Sequence, residues 1–505
     1  MGFMNAIKNE LDNATCLTEN GAVAYRTTGK KLLDLNFGVA SLRRASDQEI
    51  VNKFMDAYYE NPVLAIKWLF YCRDIKQGLG ERRLFRVALK TLAKDKPEVA
   101  RRVLKFIPEL GRYDDLWVAL DTDLKANVIE MISAQLAEDK ANMKQNKSIS
   151  LLSKWLKSEN ASSAETKRIA TMIRIGLGVS SKEYRKMLSR MRQYIDVVER
   201  KMSAKQWSEI NYEAVPSRAN LIYNGAFLRN DEERRRAYLG ALEKGEAKIN
   251  AGVLFPHDIV HKYMASSWGS RLRDTDAALE GMWKALPDTV KGDGKTIVVA
   301  DGSGSMMCGV GNTGVTALNV ANALAIYFAE RASGEFKDKY ITFSHSPKLV
   351  DFSNAKTLRE KLAIALRHNE VADTNIEATF DLILKTAVNN HMSQEDMPKN
   401  VLIISDMEFN AAVYHRPNET LFRTIANKYA QYGYKLPRLV FWNVNSRTGA
   451  IPVKENELGV ALVSGFSPNI VNMVMSGKTD PYECLLEALN VERYQPIEDA
   501  VKDIM

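Results

Sequence analysis

The sequence predicts a chain of two parts, an α-helical repeat followed by a doubly wound α/β domain. From about residue 46 to about residue 280, apolar residues recur at helical spacing in short segments that Gly, Asp, Asn or Pro interrupts. From residue 295 onward, short runs of β-branched residues alternate with longer amphipathic segments. A chain of 505 residues suits roughly two to four domains, so each part is long enough to build its own core.

Polar breaks divide the chain into three predicted segments. Residues 1–45 are turn-rich and predict an irregular leader, and the run Ser46–Glu49 then has the form of a helix capping box. Residues 46–290 predict a solenoid of paired helices, on the basis of helix lengths and not of a repeat with a fixed period. Pro287 and the Gly-containing run Lys291–Gly294 separate this part from the α/β domain, which is predicted to span residues 294–505.

The α/β part is predicted element by element from its periodicity. Strands are expected at 295–300, 339–344, 347–352, 400–405, 437–443 and 460–463. Helices are expected at 315–333, 356–367, 376–390, 419–432, 468–476 and 481–489. This order indicates a mostly parallel, doubly wound sheet with one antiparallel hairpin at 339–352, and Pro347 favours an edge position for the second arm of that hairpin.

Charge is unevenly distributed between the two parts. The whole chain carries a net charge of +8, but residues 291–505 hold 22 basic and 25 acidic residues, whereas residues 1–290 hold 48 and 37. A basic half beside a nearly neutral half favours a polyanionic partner for the first, above all nucleic acid. The alternative is a helical domain whose Lys and Arg side chains are simply solvated.

The basic residues of the helical part form clusters that we predict to contact nucleic acid. These candidate residues are Arg73, Lys76, Arg82 and Arg83 around a Gly-containing loop; Arg185, Lys186, Arg190, Arg192, Arg200 and Lys201 with two interleaved tyrosines; and Arg218 in the first turn of a helix. Glycine-rich backbone can direct N–H groups at an anion, and Arg with Tyr suits phosphate contacts and base stacking. The alternatives are helix ends with Arg–Glu pairs and ordinary solvated helix faces.

A candidate metal site follows the first strand of the α/β part. The apolar run Ile297–Ala300 predicts a buried strand, and Asp301, Ser303 and Ser305 alternate directly after it, separated by two glycines. One carboxylate and two hydroxyls suit a hard divalent cation such as Mg²⁺, which takes oxygen ligands and retains water. Ligands in open α/β sheets bind at the carboxyl ends of the strands, which is where this loop lies.

Two further oxygen ligands are predicted at the same sheet edge. Thr374 comes just before the helix expected at 376, and Asp406 follows the strand expected at 400–405. Spacing along the chain does not prove convergence, but strand and helix ends of one sheet meet at a common edge. We therefore predict that both residues complete the site begun by Asp301.

Other classes of protein are disfavoured by the sequence. No apolar run approaches the roughly 20 residues that span a bilayer, and the first residues lack the pattern of a signal peptide. The four cysteines are scattered, which argues against a disulfide scaffold or a structural zinc site and favours a reducing, cytoplasmic compartment. No nucleophile elbow, P-loop or zinc-protease motif occurs, so no catalytic residue is predicted and the chain is expected not to be an enzyme.

The metal-site residues carry a resemblance to a known family. The pattern Asp301-x-Ser303-x-Ser305, followed by Thr374 and then Asp406, resembles the metal-ion-dependent adhesion site (MIDAS) of von Willebrand factor A domains. That resemblance implies a bound Mg²⁺ or another divalent cation, held by the three hydroxyls with the two carboxylates acting directly or through water. It also implies an open position for an acidic group of a protein partner.

A basic helical domain followed by such a domain resembles the architecture of Ro ribonucleoproteins, whose helical part is the TROVE domain. The segments Arg73–Arg82, Val215–Ala219 and Pro256–Val260 resemble those of a Ro-like family. The expected fold is thus a HEAT-like helical-repeat domain and a Rossmann-like von Willebrand factor A domain. The expected function is non-enzymatic binding of an RNA, a small non-coding RNA with structured or single-stranded ends. The alternative is a metal-dependent protein-interaction or assembly factor that binds no RNA.

Overall fold

The chain divides into two compact units that do not follow a single cut along the sequence. In the computed structural model, one unit comprises residues 1–60 and 251–490, and the other comprises residues 61–250 and 491–505. The residues that the structure describes are 15–17, 23–264, 272–290, 295–311, 313–344, 346–369, 375–408, 421–446, 449, 451, 460–467 and 480–505. Over these ranges, every helix is too short or too polar to cross a membrane.

The strands of the chain are few and short. They are β1 Thr15–Leu17, β2 Val23–Tyr25, β3 Thr296–Asp301, β4 Lys339–Phe343, β5 Leu349–Asp351, β6 Asn400–Ser405, β7 Arg438–Asn443 and β8 Val460–Ser464. The last six form one sheet in the order β5-β4-β3-β6-β7-β8, parallel except where β5 pairs antiparallel with β4. From β3 the chain runs outward to β5 on one side, then returns beside β3 at β6 and runs outward to β8. This is the doubly wound arrangement, and it includes the predicted edge hairpin.

Apolar helices cover the sheet, as the alternating pattern requires. The helices of this unit are Lys31–Phe37, Val39–Leu42, Asp47–Glu60, Pro256–Tyr263, Ala277–Lys284, Ala317–Arg331, Leu358–Arg367, Ile376–Asn389, Leu421–Gln431 and Pro481–Leu489, with 3₁₀ turns at Gly304–Met307 and Gly334–Phe336. The helix Ala317–Arg331 is buried over almost its whole length and packs on the sheet, where Phe328 lies 5.3 Å from Trp442 between ring centroids. A strand or helix that is apolar on all sides must be covered on both faces, so these residues form the core.

Helices make up the second unit. They are Pro62–Arg73, Arg83–Asp95, Pro97–Val103, Ile107–Leu110, Lys125–Lys144, Leu152–Trp155, Ala164–Gly176, Ser181–Tyr194, Val198–Ser203, Ser217–Asn230, Glu232–Glu243 and Gln495–Val501, with 3₁₀ turns at Leu104–Phe106, Tyr113–Ala119, Trp207–Glu209, Tyr212–Ala214 and Glu492–Tyr494. Local sequence explains several of their ends. The side chain of Asn61 caps the helix that begins at Pro62, and Ser180 with Glu183 forms a capping box. The predicted combination of a helical part and a mixed, mainly parallel α/β part is confirmed.

The predicted irregular leader is wrong for its described residues. β1 and β2 pair with each other, and the helices Lys31–Phe37 and Val39–Leu42 are buried in the α/β unit. The N–H of Ala40 donates to the hydroxyl of Ser464 at 3.0 Å, at the end of β8. The turn-forming residues before it kept the apolar run at 32–40 from being predicted as a buried helix. The sheet that buries this run begins more than 250 residues further along the chain.

The end of the chain belongs to the helical unit, which the predicted boundary at 294 did not anticipate. Asp74, which is buried, accepts hydrogen bonds from Arg493 at 2.6 Å and from the hydroxyl of Tyr494 at 3.1 Å. Lys67, which is 1% exposed, pairs with Glu498 at 2.7 Å. Buried ion pairs of this kind exist only where both partners are brought together by the fold, so periodicity could not reveal them. The helix predicted at 468–476 lies outside the described residues.

One glycine of the predicted anion-binding loop is required by close packing. A Cβ at Gly78 would lie 1.9 Å from the carbonyl oxygen of Tyr71, which no side chain could tolerate. The N–H groups of Leu79, Gly80 and Glu81 donate to backbone carbonyls at 2.8–3.1 Å, so they are not free to bind an anion. The glycines therefore let this loop fold back on the preceding helix, which is the alternative that sequence analysis left open.

Candidate functional site

The predicted metal residues of β3 and β6 are brought together at the carboxyl edge of the sheet. β3 and β6 are neighbours in register, with Ala300 opposite Ile404. Asp301 ends β3, and Ser405 ends β6 with Asp406 next along the chain. The strand order reverses between these two strands, because β4 and β5 lie on one side and β7 and β8 on the other. Such a switch point is where open α/β sheets form a ligand-binding crevice.

The carboxylate of Asp301 is held in a fixed orientation. Its Oδ1 accepts a hydrogen bond from the N–H of Ser303 at 2.9 Å, and its Oδ2 accepts one from the hydroxyl of Ser405 at 2.7 Å. The hydroxyl oxygens of Ser303 and Ser305 lie 2.9 Å apart. Asp301 and Ser303 are buried and Ser305 is half-buried. These oxygens converge, as the alternation of polar residues predicted.

Close packing explains why the first of the two glycines in the loop after β3, Gly302, has no side chain. A Cβ at Gly302 would lie 2.8 Å from the side-chain oxygen of Asn369 and 3.1 Å from its Cα. Asn369 thus touches the loop backbone directly. Sequence analysis did not identify Asn369, because it lies at a helix end 67 positions away with no motif around it.

The segment after β6 has an unusual backbone. Met407 has φ +65°, a left-handed conformation that costs free energy for a residue other than Gly and that is concentrated at functional sites. This conformation follows Asp406 directly, and Asp406 and Glu408 are both buried. The N–H of Glu408 donates to Asp406 Oδ1 at 3.3 Å, and the N–H of Met407 donates to the hydroxyl of Ser405 at 3.1 Å. Glu408 and Ser405 lie close to Asp406 in the sequence but were not predicted to take part.

Electrostatics at this edge are unfavourable for two ionised carboxylates. Burial, and then the negative charge of Asp406, raises the pKa of Asp301 to about 7 from 3.8, against hydrogen bonds from Ser303 and Ser405 that lower it. A divalent cation would offset this repulsion, since metal ions invert the local preference for protonation.

The described donor set fits a hard divalent cation that keeps some of its water. Two buried carboxylates and two hydroxyls lie at this edge of the sheet, and they are oxygen ligands of the kind that Mg²⁺ takes. Within the described ranges, no three His, Cys, Asp or Glu side chains are grouped so that they could hold a metal ion together. Thr374, the remaining predicted ligand, lies outside the described residues.

Several predicted RNA contacts prove to be internal contacts. Arg73 is 5% exposed, and its Nε donates to Asp115 at 2.8 Å. Arg192 donates three hydrogen bonds, to the carbonyls of Ser153 and Leu156 and to a nearby serine hydroxyl, at 2.6–2.9 Å. Lys201 pairs with Asp196 at 2.7 Å. These contacts are made within the helical unit, and the positive charge of the three side chains in the sequence did not reveal them.

One of the two tyrosines predicted to interleave with the basic residues is also a core residue. Tyr184 is fully buried, and its hydroxyl donates to the carbonyl of Lys157 at 2.9 Å. Tyr194 is 36% exposed, with its hydroxyl bonded to the carbonyl of Lys147 at 2.8 Å. Base stacking on Tyr184 is therefore excluded by burial.

The remaining predicted cations are exposed. They are Lys76, Arg82, Arg83, Arg185, Lys186, Arg190, Arg200 and Arg218. Arg185, Lys186 and Arg190 share one face of the helix Ser181–Tyr194 with Lys182, opposite the buried residues of that helix. In the part of the chain that the structure describes, none of these four cations pairs with a carboxylate, and Arg185 donates only to a carbonyl of its own helix at 3.3 Å. We call these four residues the basic helix face.

The helical unit carries the excess positive charge of the chain. Residues 61–250 and 491–505 together hold 39 basic and 28 acidic residues, whereas the α/β unit holds 31 and 34. The asymmetry expected from the sequence is therefore kept when the chain is divided by its contacts.

Comparison with known proteins gives matches to two protein families and to individual relatives. Residues 295–500 match the family described as Domain of unknown function (DUF7788), and residues 18–109 and 177–296 match Domain of unknown function (DUF2828). An uncharacterized protein of Acanthamoeba polyphaga mimivirus is 29% identical over 521 aligned residues, which cover 95% of this chain and 88% of that protein. Among solved structures, the Ro (RSR) protein of Deinococcus radiodurans is similar with a TM-score of 0.47 and 16% identity, covering 94% of this chain and 100% of that chain.

Proposed function

We propose that this chain is a non-enzymatic RNA-binding protein of the Ro ribonucleoprotein type, with its helical unit as the RNA-binding part. The observation that carries the proposal is the basic helix face: four cations on one side of a helix with no carboxylate partner among the described residues. A surface of this kind binds phosphates by releasing their counterions. The α/β unit has a small excess of acidic residues, so it is less suited to bind a polyanion than the helical unit is.

The salt dependence of binding follows from the number of phosphates contacted. If the basic helix face neutralises four phosphates of a flexible RNA strand, the logarithm of the affinity falls with the logarithm of the salt concentration with a slope of roughly −3. Contacts by Arg200 or Arg218, which are also exposed, would steepen that slope. We expect a structured small RNA with a single-stranded end to bind most tightly.

A gel-shift titration over a series of salt concentrations tests the proposal. The double variant Lys186→Glu/Arg190→Glu should weaken RNA binding at every sequence tested and flatten the salt slope. Its matched control is Arg101→Glu/Arg236→Glu, which makes the same change of charge at exposed arginines that are paired with Glu98 and Glu232. Wild-type binding that is absent or insensitive to salt would refute RNA binding, and equal losses in both double variants would refute the role of the basic helix face.

We further propose that the sheet edge binds Mg²⁺ or another divalent cation and docks a partner. Ser303, Ser305 and Thr374 would hold the cation, with Asp301 and Asp406 acting directly or through water. The bound cation would supply a positive charge that accepts a carboxylate from a protein partner. The observation that supports this part is the buried pair of carboxylates, in which burial and then the negative charge of Asp406 raise the pKa of Asp301.

Calorimetric titration of the metal-free protein with Mg²⁺ and Mn²⁺ tests the cation site. Ser303→Ala and Asp301→Ala should each abolish the binding heat, whereas Ser353→Ala, at an exposed serine bonded to Asp351, should not change it. Unchanged metal binding in the first two variants would exclude this site.

The same variants separate the two candidate functions. In a pure protein-interaction factor, Asp301→Ala would abolish partner capture while the basic helix face variant behaved as wild type in every assay. The buried carboxylate pair favours that second candidate independently of RNA, because a cation site needs no polyanion.

A further inference from the structure

A second group of cations in the helical unit surrounds two buried carboxylates. Asp114 and Asp115 begin the 3₁₀ turn Tyr113–Ala119, and their exposed fractions are 6% and 0%. Asp115 accepts hydrogen bonds from Arg73 at 2.8 Å and from Arg86 at 2.6 Å. Asp114 accepts two from Arg112, at 2.8 and 2.7 Å. These contacts use both oxygens of each carboxylate.

The Nη2 nitrogen of Arg86 lies close to a carboxylate oxygen of Asp114 but is poorly aligned for a hydrogen bond with it. Arg86 Nη2 lies 2.9 Å from Asp114 Oδ2, yet it is buried and makes no aligned hydrogen bond. Arg112, on the other side of Asp114, stacks its guanidinium on the ring of Trp155 at 4.1 Å from the centroid. Arg112 is thus held by a bidentate pair and an aromatic face, which leaves little freedom to its position.

Arg82 adds a cation that this group cannot neutralise. It immediately precedes the helix Arg83–Asp95, and its carbonyl accepts the N–H of Arg86, so the two arginines lie one turn apart on the same side. Arg82 is exposed, and within the described residues its side chain forms no hydrogen bond and no ion pair. Arg73, Arg86 and Arg112 share the two carboxylates, and Arg82 adds a fourth guanidinium group that pairs with neither.

The local electrostatics are unfavourable for Arg82 without a ligand. Desolvation, and then the positive charges of Arg112 and Arg86, lower the pKa of its guanidinium below its usual value, against a smaller effect of Asp114. The helix that Arg82 precedes has no acidic residue in its first turn, so the positive end of its dipole adds to the same field. An anion at this place would relieve both effects.

We propose that Arg82, together with Arg86 and Arg112, binds a phosphate group of the RNA backbone. The inference rests on the proposed RNA-binding function and names a contact separate from the basic helix face. Arg82 supplies a free planar fork of N–H donors, which suits two oxygens of one phosphate. Arg86 and Arg112 are already anchored by Asp114 and Asp115, so they present charge at little cost in conformational entropy.

The choice of phosphate over a carboxylate of this chain follows from the arrangement. The two acids of the group already have their oxygens occupied by Arg73, Arg86 and Arg112. A phosphodiester oxygen carries the required charge and accepts several donors at once. The contact carries no base information, so it should strengthen binding equally for all RNA sequences.

The test compares Arg82→Ala with Arg236→Ala in RNA titrations over a salt series. Arg82→Ala should lower the affinity about tenfold and reduce the salt slope by about one, because one charge-assisted phosphate contact is lost. Arg82→Lys should recover part of the affinity, since it keeps the charge without the fork. Arg236, whose side chain is 69% exposed and paired with Glu232, should change neither quantity when replaced. The side chain of Arg82 makes no hydrogen bond or ion pair with any described residue, so thermal unfolding of Arg82→Ala should match that of the wild type.

A second measurement keeps this inference separate from the proposed function. The ³¹P NMR resonance of pyrophosphate should broaden or shift when the wild-type protein is added. The Arg82→Ala variant should change this resonance much less. If wild-type protein binds no RNA but this difference is observed, the RNA function fails and the anion site stands. If Arg82→Ala binds RNA with unchanged affinity and slope, or if pyrophosphate responds equally to both proteins, the proposed site is refuted.

Discussion

Replacing Asp301 by Asn should stabilise the metal-free protein above neutral pH. The raised pKa of Asp301 means that the folded state holds a proton that the unfolded state releases. Stability of the wild type is therefore lost as the pH rises from about 4, the unfolded value, through about 7, the folded one. Because Asp301 and Asp406 interact, this titration belongs to the pair. Asn keeps an oxygen for the N–H of Ser303 but has no charge to bury.

The magnitude follows from the size of the shift. A pKa difference of about 3 units corresponds to about 4 kcal/mol at high pH, since one unit is about 1.4 kcal/mol. Between pH 5 and pH 8, the part of this penalty that develops is on the order of 3 kcal/mol. The amide nitrogen of Asn faces the hydroxyl of Ser405, which must turn from donor to acceptor, at a small cost that does not vary with pH.

Denaturant unfolding in EDTA at several pH values measures this effect. The quantity to follow is the free energy of unfolding of Asp301→Asn minus that of the wild type, because other titrating groups cancel in the difference. We expect it to rise by about 3 kcal/mol from pH 5 to pH 8, and Mg²⁺ to stabilise only the wild type. A difference that stays constant with pH would show that Asp301 is not a strained carboxylate and would refute the electrostatic argument.

Three further predictions concern the helical unit and are checked by denaturant unfolding. Gly78→Ala should strongly destabilise the protein, because the added Cβ would overlap a carbonyl oxygen. Gly240→Ala should stabilise it by up to about 1 kcal/mol, because Gly240 lies inside a helix and its added Cβ would have nothing within 4 Å. Equal effects of the two substitutions would contradict the close packing at Gly78. Glu498→Gln should cost about 1.5–3 kcal/mol by removing the carboxylate that pairs with the buried ammonium of Lys67, and Lys67→Met should cost less. The reverse order would contradict the burial argument. Asp115→Asn should cost about 3–5 kcal/mol, since this fully buried carboxylate holds two guanidinium groups, and a loss below 1 kcal/mol would be inconsistent with the pair.

The strands of the α/β part could be predicted to within about two residues because they are continuous apolar runs. The run at 400–405 was predicted with its observed bounds, and β3 was displaced by one residue. Burial on both faces of a parallel sheet requires such runs, so local composition carries the information. The helix Gln495–Val501 was missed, since it is short and its Glu498 pairs with Lys67 from far along the chain.

For the candidate sites, the position of one residue pattern could be predicted and the contacts of another could not. Asp301, Ser303 and Asp406 could be placed at one sheet edge because polar residues directly after buried strands must lie there. The internal contacts of Arg73 and Arg192 could not be predicted, because a charged residue in a helix looks the same in sequence whether it faces water or a buried acceptor. Asn369 and Arg82 acquired their particular significance only from neighbours that the fold supplies.

The sequence by itself determined the fold class, the loop of Asp301 and the positive charge of the helical part. Each depends on residues close along the chain, whose periodicity and spacing are visible without a structure. Only the tertiary structure decided which cations remain exposed, where the two units divide, and how β3 and β6 bring Asp301 beside Asp406. Burial and ion pairing depend on contacts between residues that are far apart in the sequence. An arginine in a helical pattern can therefore either hold the core together or face a phosphate.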